Sequence, residues 1–280
     1  MKQLLVCTDL DRTLIPNGMQ AESPDALGLF KRLVSRREIT LAYVTGRHHA
    51  LIEQAINDFN LPQPDYAIAD VGTTIYRVAS EGWQRWETWE EQIAPDWRGL
   101  SHDGICSLLR EFSQLHMQEK EKQNRYKLSF YAPSDTDTQA LTEKMGAQLK
   151  NAGIKANLVW SIDEKKNLGL LDVLPASANK LHAIHFLMQQ KGFSLEGSVF
   201  AGDSGNDLDV LLSDIPSVLV ANADNEIKIH AAKSKKDALY IAKGGFLGMN
   251  GNYSAGIIEG IAHYWPEADV WLREMCENRG

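Results

Sequence analysis

Short apolar runs alternate with helical patterns in the first part of the chain. The runs at 3–8, 39–44 and 66–69 are almost entirely apolar, as is typical of strands buried on both faces. Between them, apolar residues recur at helical spacing over 27–34 and 52–59. Strands that alternate with helices indicate βαβ units around a parallel sheet.

The hydrophobic pattern changes after Tyr76, where polar residues are mixed into the apolar runs. Such strands do not fit the interior of a parallel sheet and favour antiparallel pairing with one solvated face. The elements predicted for this middle segment are strands at 83–89, 125–131, 155–160 and 167–173 and helices at 105–115 and 141–149. We expect them to form a small domain of their own.

The α/β pattern resumes at Pro175. A helix is predicted after Lys180 and another near 254–265, with strands at 198–201 and 217–221. The whole pattern therefore predicts an α/β fold with a doubly wound, Rossmann-like parallel-sheet core and an inserted α/β cap domain.

The predicted domain limits follow from these changes of pattern. Residues 1–79 and 175–280 form the core, and residues 80–174 form the cap. We expect a mobile cap, with hinges near Ser80–Gly82 and Leu174–Ser177, that closes over the substrate and excludes bulk water.

Composition narrows the class of protein without naming a function. The 280 residues are 44% apolar and carry a net charge of −8, which argues against a nucleic-acid partner. Three scattered cysteines, Cys7, Cys106 and Cys276, suggest neither a disulfide framework nor a zinc site and fit a reducing cytoplasm. The apolar run Leu4–Cys7 is too short for a signal peptide, and no stretch approaches the ~18 apolar residues of a membrane span.

Four polar signals follow predicted strands or begin a predicted helix. They are Asp9-Leu10-Asp11-Arg12-Thr13, Thr45-Gly46-Arg47, Lys180 and Gly202-Asp203-Ser204-Gly205-Asn206-Asp207. In open α/β sheets, ligands bind beyond the carboxyl ends of the strands, so we expect these signals to converge there.

Paired acids in these positions suit phosphate ester cleavage. A carboxylate and a phosphate about 4 Å apart repel each other by about 4 kcal/mol at an effective dielectric near 20. Mg²⁺ between them removes this repulsion and takes oxygen ligands. The predicted ligands are Asp9 and Asp203, with Asp207 and the backbone carbonyl of Asp11.

Each remaining residue of the predicted site has a role in the same reaction. Asp9 attacks phosphorus, and Asp11 protonates the leaving oxygen and then activates the hydrolytic water. Thr45 offers its hydroxyl and backbone N–H to the phosphate, and Lys180 offers a positive charge. Asn206 orients metal-bound water.

Taken singly, each of these signals also has an ordinary explanation as a solvated turn. A calcium loop is the nearest alternative and needs Gly at its sixth position and Glu at its twelfth. Counted from Asp9, those positions hold Leu14 and Gln20, and a loop counted from Asp203 fails in the same way.

The combined motifs resemble the haloacid-dehalogenase-like (HAD) phosphatase superfamily. Its four motifs look like Asp9-Leu-Asp11-Arg-Thr13, Thr45, Lys180 and Gly202-Asp203-Ser-Gly-Asn-Asp207. The insert lies between the second and third motifs, as does the large α/β cap of that superfamily. The resemblance implies an Mg²⁺-dependent phosphatase.

Three further segments are similar to sucrose-phosphate phosphatases. They are Val71–Tyr76 at the cap entry, Val220–Ala223, and Ala255–Glu259 in the C-terminal helix. This resemblance implies that the product is sucrose and that the cap holds the glucose ring. Thr74 departs from it, because an acidic residue that binds sugar hydroxyls is expected there.

The candidate substrate contacts come from core and cap. They are Thr45, Gly46, Arg47, Gly72, Thr73, Tyr76, Lys127, Ser129, Lys180 and Asn206. Lys127 and Ser129 share one face of a predicted cap strand with Arg125, which is either a substrate face or a solvated one. Trp83 and Trp89 share a strand face; the cap core is favoured over sugar stacking for them.

The favoured reaction is hydrolysis of sucrose 6-phosphate to sucrose and phosphate through an aspartyl-phosphate. Alternatives are another glycosyl phosphate such as mannosylfructose phosphate, a sugar phosphomutase that needs a bisphosphate activator, and a non-enzymatic regulatory binding module. An upstream sugar-phosphate synthase is a conceivable partner. The sequence leaves the oligomeric state open.

Overall fold

The computed structural model describes residues 3–163, 166–234 and 236–277. In chain order the strands are β1 (Leu4–Thr8), β2 (Ile39–Val44), β3 (Tyr66–Ala69), β4 (Thr74–Ala79), β5 (Gly82–Arg85), β6 (His116–Met117), β7 (Leu128–Pro133), β8 (Ala156–Asp163), β9 (Leu168–Pro175), β10 (Ser198–Gly202), β11 (Ser217–Leu219) and β12 (Leu239–Ile241). The helices are α1 (Ala26–Val34), α2 (His49–Asp58), α3 (Glu87–Ile93), α4 (His102–Leu108), α5 (Thr138–Asn151), α6 (Lys180–Lys191), α7 (Leu208–Leu211), α8 (Asn225–Ser234), α9 (Ser254–Tyr264) and α10 (Pro266–Glu277). They surround two separate sheets.

The larger sheet has eight strands in the order β12-β11-β10-β1-β2-β3-β4-β5. Strands β12 to β3 pair in parallel, and β4 and β5 add an antiparallel edge. Successive side chains of β1 enter different hydrophobic clusters: Leu4 and Val6 pack with α1, α2, α9 and α10, whereas Leu5 and Cys7 pack with α6, α7 and α8. Helices therefore cover both faces, and the predicted doubly wound core is confirmed.

The smaller sheet has the order β6-β7-β9-β8, and its pairings are all antiparallel. Helix α5 buries Leu141, Met145 and Leu149 and packs against β8. The chain makes this sheet between β5 and α6, so it is the predicted insert with antiparallel strands. The opposite face of this sheet lines a cavity together with residues that follow the carboxyl ends of the core strands.

The predicted strand at 83–89 is wrong beyond Arg85. Strand β5 ends there, and helix α3 begins at Glu87. Trp86 and Trp89 are 5% and 1% exposed and both pack on the ring of Phe186 in α6. Trp89 is thus a buried core residue, as favoured. Trp83 lies in β5 and packs on the rings of His49 and Tyr76, which belong to α2 and β4, so the prediction of a cap-core role is wrong for Trp83.

Two other predicted elements have shifted limits. The strand expected at 125–131 begins at Leu128, because Asn124 and Lys127 exchange backbone hydrogen bonds in a tight turn. The helix expected at 105–115 ends at Leu108.

The domain limits and hinges stay predictions. Strand β5 pairs with β4 in the large sheet, which favours a start of the cap domain later than residue 80. Among the described residues, no helix combines the length and apolar character needed to cross a bilayer.

Candidate active site

Parallel register places two acidic residues at neighbouring strand ends. Strand β1 pairs with β10 so that Thr8 lies opposite Ala201, and the N–H of Asp9 donates to the carbonyl of Ala201 at 2.9 Å. Asp203 follows β10 directly. The same sheet edge therefore carries Asp9 and Asp203, although they are far apart in the chain.

Asp207 completes a cluster of three buried carboxylates with Asp9 and Asp203. One ligand oxygen from each of the three lies within 4.8 Å of the others. Asp207 turns back toward β10, where its Oδ2 accepts the N–H groups of Asp203 and Ser204 at 3.2 Å. This fold-back requires Gly202, because a Cβ there would lie 2.7 Å from Cγ of Asp207.

Lys180 supplies the buried positive charge of the cluster. It is the first residue of α6, and Asn179 caps that helix by accepting the N–H of His182 at 2.9 Å. The Lys180 ammonium donates to Asp9 at 3.0 Å and to Asp207 at 2.7 Å. The helix start is held close to the core by Gly72, whose φ is +96° and whose Cβ position would lie 2.5 Å from the backbone of Asn179.

Burial shapes the acidity of this cluster. Burial raises the pKa of Asp9 to about 8, and the ammonium of Lys180 opposes the effect without outweighing it. Burial together with the charge of Asp207 raises the pKa of Asp203 to about 6. The pKa of Lys180 is also raised, because the charges of Asp207 and Asp9 outweigh its own burial. The carboxylates thus crowd more negative charge together than the single ammonium balances.

The cluster fits a hard divalent cation. Oδ2 of Asp203 is buried and accepts no hydrogen bond among the described residues; its nearest charged neighbour is Nε of Arg12 at 3.3 Å. A buried carboxylate oxygen without a hydrogen bond is free to bind a cation. Together with the two other carboxylates it offers the oxygen ligands that Mg²⁺ prefers. Asp9 and Asp203 would hold the ion, with Asp207 behind them.

Asp11 lies at the mouth of the site and not in the carboxylate cluster. Arg47 holds it as a bidentate pair, with Nη2 to Oδ1 at 2.6 Å and Nε to Oδ2 at 2.8 Å. The amide of Asn17 also donates to Oδ1 at 2.8 Å. Burial would raise the pKa of Asp11, but the hydrogen bonds and charge of Arg47 outweigh it and lower the pKa. The Asp11 side chain is thus engaged by Arg47 and Asn17, and the role of its backbone carbonyl as a metal ligand stays a prediction.

Thr45 lines the cavity, but only one of the two groups predicted to bind phosphate is available. Its backbone N–H donates to the carbonyl of Ile68 in the neighbouring strand β3 at 2.8 Å. The prediction that this N–H binds phosphate is therefore wrong, and the hydroxyl is the remaining group. Gly46 and Arg47 also line the cavity, and Asn206 accepts from Lys180 at 3.3 Å beside it.

A cavity of about 400 Å³ separates the core strand ends from the cap. This volume suits a small-molecule site. Its cap wall contains several residues that sequence reasoning did not single out: Gln118, Lys122, Val159, Trp160, Ser161, Leu170 and Asp172. The available signal was Asp172, a lone acid in the otherwise apolar run 170–174.

The predicted substrate residues divide into two groups by position. Lys127 lines the cavity, whereas Gly72, Thr73, Tyr76 and Ser129 are buried behind its walls. Ser129 still contributes indirectly, since its hydroxyl donates to Asp172 at 2.5 Å. Arg125 points away, because it is 69% exposed and faces Glu90 at 3.7 Å.

Thr74, the position of the expected acid, lies beside a different carboxylate. Its hydroxyl donates to Asp70 at 3.4 Å, and Asn124 of the insert donates to Thr73 at 2.9 Å. Asp70 is 3% exposed, and burial raises its pKa. An acidic group is therefore present next to position 74, although the side chain at that position carries none.

We expect Mg²⁺ to stabilise this protein more strongly as the pH rises. Because the folded pKa values of Asp9 and Asp203 exceed the ordinary value of 3.8, the folded state binds more protons than the unfolded one between about pH 4 and pH 8. The metal-free protein therefore loses stability as pH rises through that window. Mg²⁺ at 100 times its Kd adds about 2.7 kcal/mol, or about 5–10 °C in Tm, and protons compete with it below about pH 6.

The measurement is a series of thermal melts with and without Mg²⁺ from pH 5.5 to 8.5. The Asp203→Asn variant should lose most of the Mg²⁺-dependent shift. The matched control, Asp214→Asn, changes an acid that is 84% exposed and should keep it. A shift that is the same at every pH, or that survives in Asp203→Asn, would contradict the metal assignment.

Comparison with known proteins identifies the family. The family model for sucrose-6F-phosphate phosphohydrolase matches residues 2–265. A protein of Nitrosococcus oceani named only as a HAD-like hydrolase is 50% identical over 277 residues, covering 97% of this chain and 75% of that protein. Mannosylfructose-phosphate phosphatase of Agrobacterium fabrum is 30% identical and is matched over 98% of its length. Sucrose-phosphatase 1 of Nicotiana tabacum is 26% identical over 94% of this chain, which spans 59% of the tobacco protein.

A solved structure shows the same architecture. The sucrose-phosphatase of Synechocystis, in complex with sucrose and phosphate, superposes with a TM-score of 0.74 and 26% identity, covering 94% of this chain and 98% of that one. The fold, the positions of the four motifs at strand ends and at the start of α6, and the family match all agree. The chain belongs to the sucrose-6F-phosphate phosphohydrolase family, whose members are HAD-like phosphoric monoester hydrolases.

Proposed function

We propose that this protein is an Mg²⁺-dependent phosphatase that hydrolyses a sugar phosphate, with sucrose 6-phosphate as the first candidate substrate. One observation carries the proposal: Asp9 and Asp203 lie at the floor of a cavity that the insert covers, and Asp207 clusters with them from behind. A phosphoryl group at that floor would meet a nucleophile and a cation site, with the Lys180 ammonium behind Asp9.

The first half of the proposed reaction transfers the phosphoryl group to the protein. A carboxylate oxygen of Asp9 attacks phosphorus, and the bond from phosphorus to the sugar oxygen breaks as Asp11 delivers a proton to that oxygen. The hydroxyl of Thr45 binds a phosphoryl oxygen, and the positive charge of Lys180 behind Asp9 stabilises the transferred group. Mg²⁺, when bound, supplies the positive charge that lets two anions meet.

The second half releases phosphate. Asp11, now a carboxylate, takes a proton from a water molecule that attacks phosphorus, and the bond from phosphorus to Asp9 breaks. Asp9 is regenerated as a carboxylate, and inorganic phosphate leaves.

Arg47 links substrate arrival to the state of Asp11. In the structure Nε and Nη2 of Arg47 donate to Asp11 and hold that carboxylate ionised, while Nη1 donates to the carbonyl of Leu51 at 3.2 Å. An incoming phosphate also accepts two parallel hydrogen bonds from a guanidinium, so it would compete with the Asp11 carboxylate for Arg47. Its arrival would release Asp11, which would then take up a proton from solvent and deliver it to the leaving oxygen.

The nature of the alcohol is proposed from the cavity and from the relatives. The cap wall combines polar groups such as Lys127 and Gln118 with apolar faces from Val159 and Leu170, as expected for a hydroxyl-rich ring system. Relatives named sucrose-phosphatase favour sucrose 6-phosphate, and the Synechocystis structure holds sucrose and phosphate. Mannosylfructose phosphate is the second candidate, supported by the match to a phosphatase named for that substrate.

The experiment is a phosphate-release screen with purified protein and Mg²⁺. The panel contains sucrose 6-phosphate, mannosylfructose phosphate, hexose monophosphates and p-nitrophenyl phosphate, each repeated after removal of metal with a chelator. We expect kcat/KM for a disaccharide phosphate to exceed that for the hexose monophosphates. Release without added metal would refute Mg²⁺ dependence, and a preference for hexose monophosphates would refute the disaccharide assignment.

A further inference from the structure

Arg12 has a backbone conformation that ordinarily suits glycine. Its φ is +58°, in the left-handed region that L-residues with long side chains rarely adopt. Two asparagines hold the turn from opposite sides: Asn17 accepts the Arg12 N–H at 2.8 Å, and the amide of Asn222 donates to the Arg12 carbonyl at 2.6 Å. An arginine is thus kept at a position where its backbone is strained, which points to a role for its side chain.

The Arg12 guanidinium lies between two carboxylates. Its Nη2 donates to Oδ1 of Asp224 at 2.9 Å, and its Nε lies 3.3 Å from Oδ2 of Asp203. In the described part of the chain, neither Nε nor this Oδ2 makes a hydrogen bond, although both atoms are buried. Asp224 therefore anchors the guanidinium, and its positive charge faces the free oxygen of Asp203 without forming a hydrogen bond to it.

The same oxygen is the one that Asp203 can offer to Mg²⁺. Its other oxygen, Oδ1, already accepts the hydroxyl of Thr13 at 3.2 Å. Burial raises the pKa of Asp203 to about 6, and the charge of Arg12 opposes this rise more strongly than the charge of Lys180 does. A guanidinium that acts on this carboxylate so strongly also repels a cation bound to it, because water screens charges poorly in a buried site.

We propose that Arg12 is a positioning residue that sets the Mg²⁺ affinity of the site: it holds Asp203 in place in the metal-free protein and weakens Mg²⁺ binding by competing for Oδ2. The inference rests on the proposed function, because it takes Asp203 as a ligand of Mg²⁺. Asp224 limits the competition, since it shares the charge of the guanidinium. The anchored arginine offsets part of the negative charge of the cluster while no metal is bound.

The test is a calorimetric titration with Mg²⁺ alone. Arg12→Gln removes the charge and leaves an uncharged side chain with the same backbone strain. We expect the Kd of Mg²⁺ to fall about tenfold, since the repulsion and the competing contact are lost. Arg12→Lys keeps the charge and should bind Mg²⁺ within about threefold of the unaltered protein. Arg273→Gln is the matched control, because it changes an exposed arginine that pairs with Asp269 within α10 and should leave the Kd unchanged.

Asp224→Asn tests the anchor with an expected effect of opposite sign. Asp224 is 62% exposed, so folding should be kept even if the Arg12 variants are less stable. With Nη2 released, the guanidinium is left with Asp203 alone, and we expect the Kd of Mg²⁺ to rise. The rise should be smaller in a protein that already carries Arg12→Gln, because the two residues act through one contact.

Two outcomes would overturn the inference. An unchanged or higher Kd in Arg12→Gln is the result expected of an arginine that only supports the turn. Equal tightening in Arg12→Gln and Arg12→Lys would show that charge is not the cause. The titration contains no substrate, so failure to release phosphate in the screen would refute the proposed activity instead.

Discussion

Asp9→Asn is expected to lower turnover of every phosphate ester by about 10⁵-fold or more. The amide has no anionic oxygen to attack phosphorus, and removing a covalent nucleophile from a working constellation has effects of roughly this size. The change is nearly isosteric, and the amide oxygen can still accept the hydrogen bond that Lys180 makes to Asp9 at 3.0 Å. The measurement is the initial rate of phosphate release with Mg²⁺.

Folding must be followed alongside activity. Asp9→Asn removes one of several crowded buried negative charges, one whose pKa is raised to about 8. We therefore expect the Tm of the metal-free variant at pH 8 to equal or exceed that of the unaltered protein. Asp214→Asn, an exposed acid paired with Lys236, is the matched control and should keep full activity. A variant that folds and retains more than about a tenth of the rate would remove Asp9 from the mechanism.

Asp11→Asn is expected to lower turnover of a sugar phosphate by about 10²–10⁴-fold, the usual contribution of a general acid–base group. An asparagine can neither protonate the sugar oxygen nor take the proton of the attacking water. Because the two tasks fall in different half-reactions, the choice of ester separates them. A nitrophenolate leaves without protonation, so the phosphorylation of Asp9 should remain rapid with p-nitrophenyl phosphate.

The distinguishing measurement is a pre-steady-state burst. With p-nitrophenyl phosphate, Asp11→Asn should release about one nitrophenolate per active site and then slow, because the aspartyl-phosphate is not hydrolysed. Asn17→Ala is a useful comparison, since it removes only the 2.8 Å hydrogen bond that Asn17 donates to Asp11 and should show a much smaller loss of rate. Full steady-state turnover of both esters by Asp11→Asn would exclude the acid–base role.

The core of this fold and the floor of its site could be predicted from local patterns. Strands buried on both faces produce continuous apolar runs, so the sequence pattern predicts β1, β2, β3 and β10. Parallel pairing then brings the carboxyl ends of these strands to one edge of the sheet. Asp9 and Asp203 follow such runs directly, and Lys180 begins a helix. Their convergence depends on strand order alone, which is why it could be anticipated without any knowledge of side-chain contacts.

The cap was predicted less well, for an equally physical reason. Its strands are short and half exposed, and the indole spacing at Trp83, Trp86 and Trp89 suits a strand or a helix until packing on Phe186 decides between them. Hydrogen bonds at the end of a strand depend on which strand lies beside it, and a single segment does not show this. The hydrogen bond from the Thr45 N–H to the carbonyl of Ile68 was therefore found only in the structure.

By itself, the sequence determined the doubly wound core and the acidic residues at its strand ends, because burial and topology act through patterns that lie within single elements. Only the tertiary structure decided that Asp11 pairs with Arg47, that Asp70 lies beside Thr74, and that Lys127 stands between two carboxylates. These are contacts between segments distant in the chain. Their energies depend on distances of a few ångströms and on local burial, which no periodicity encodes.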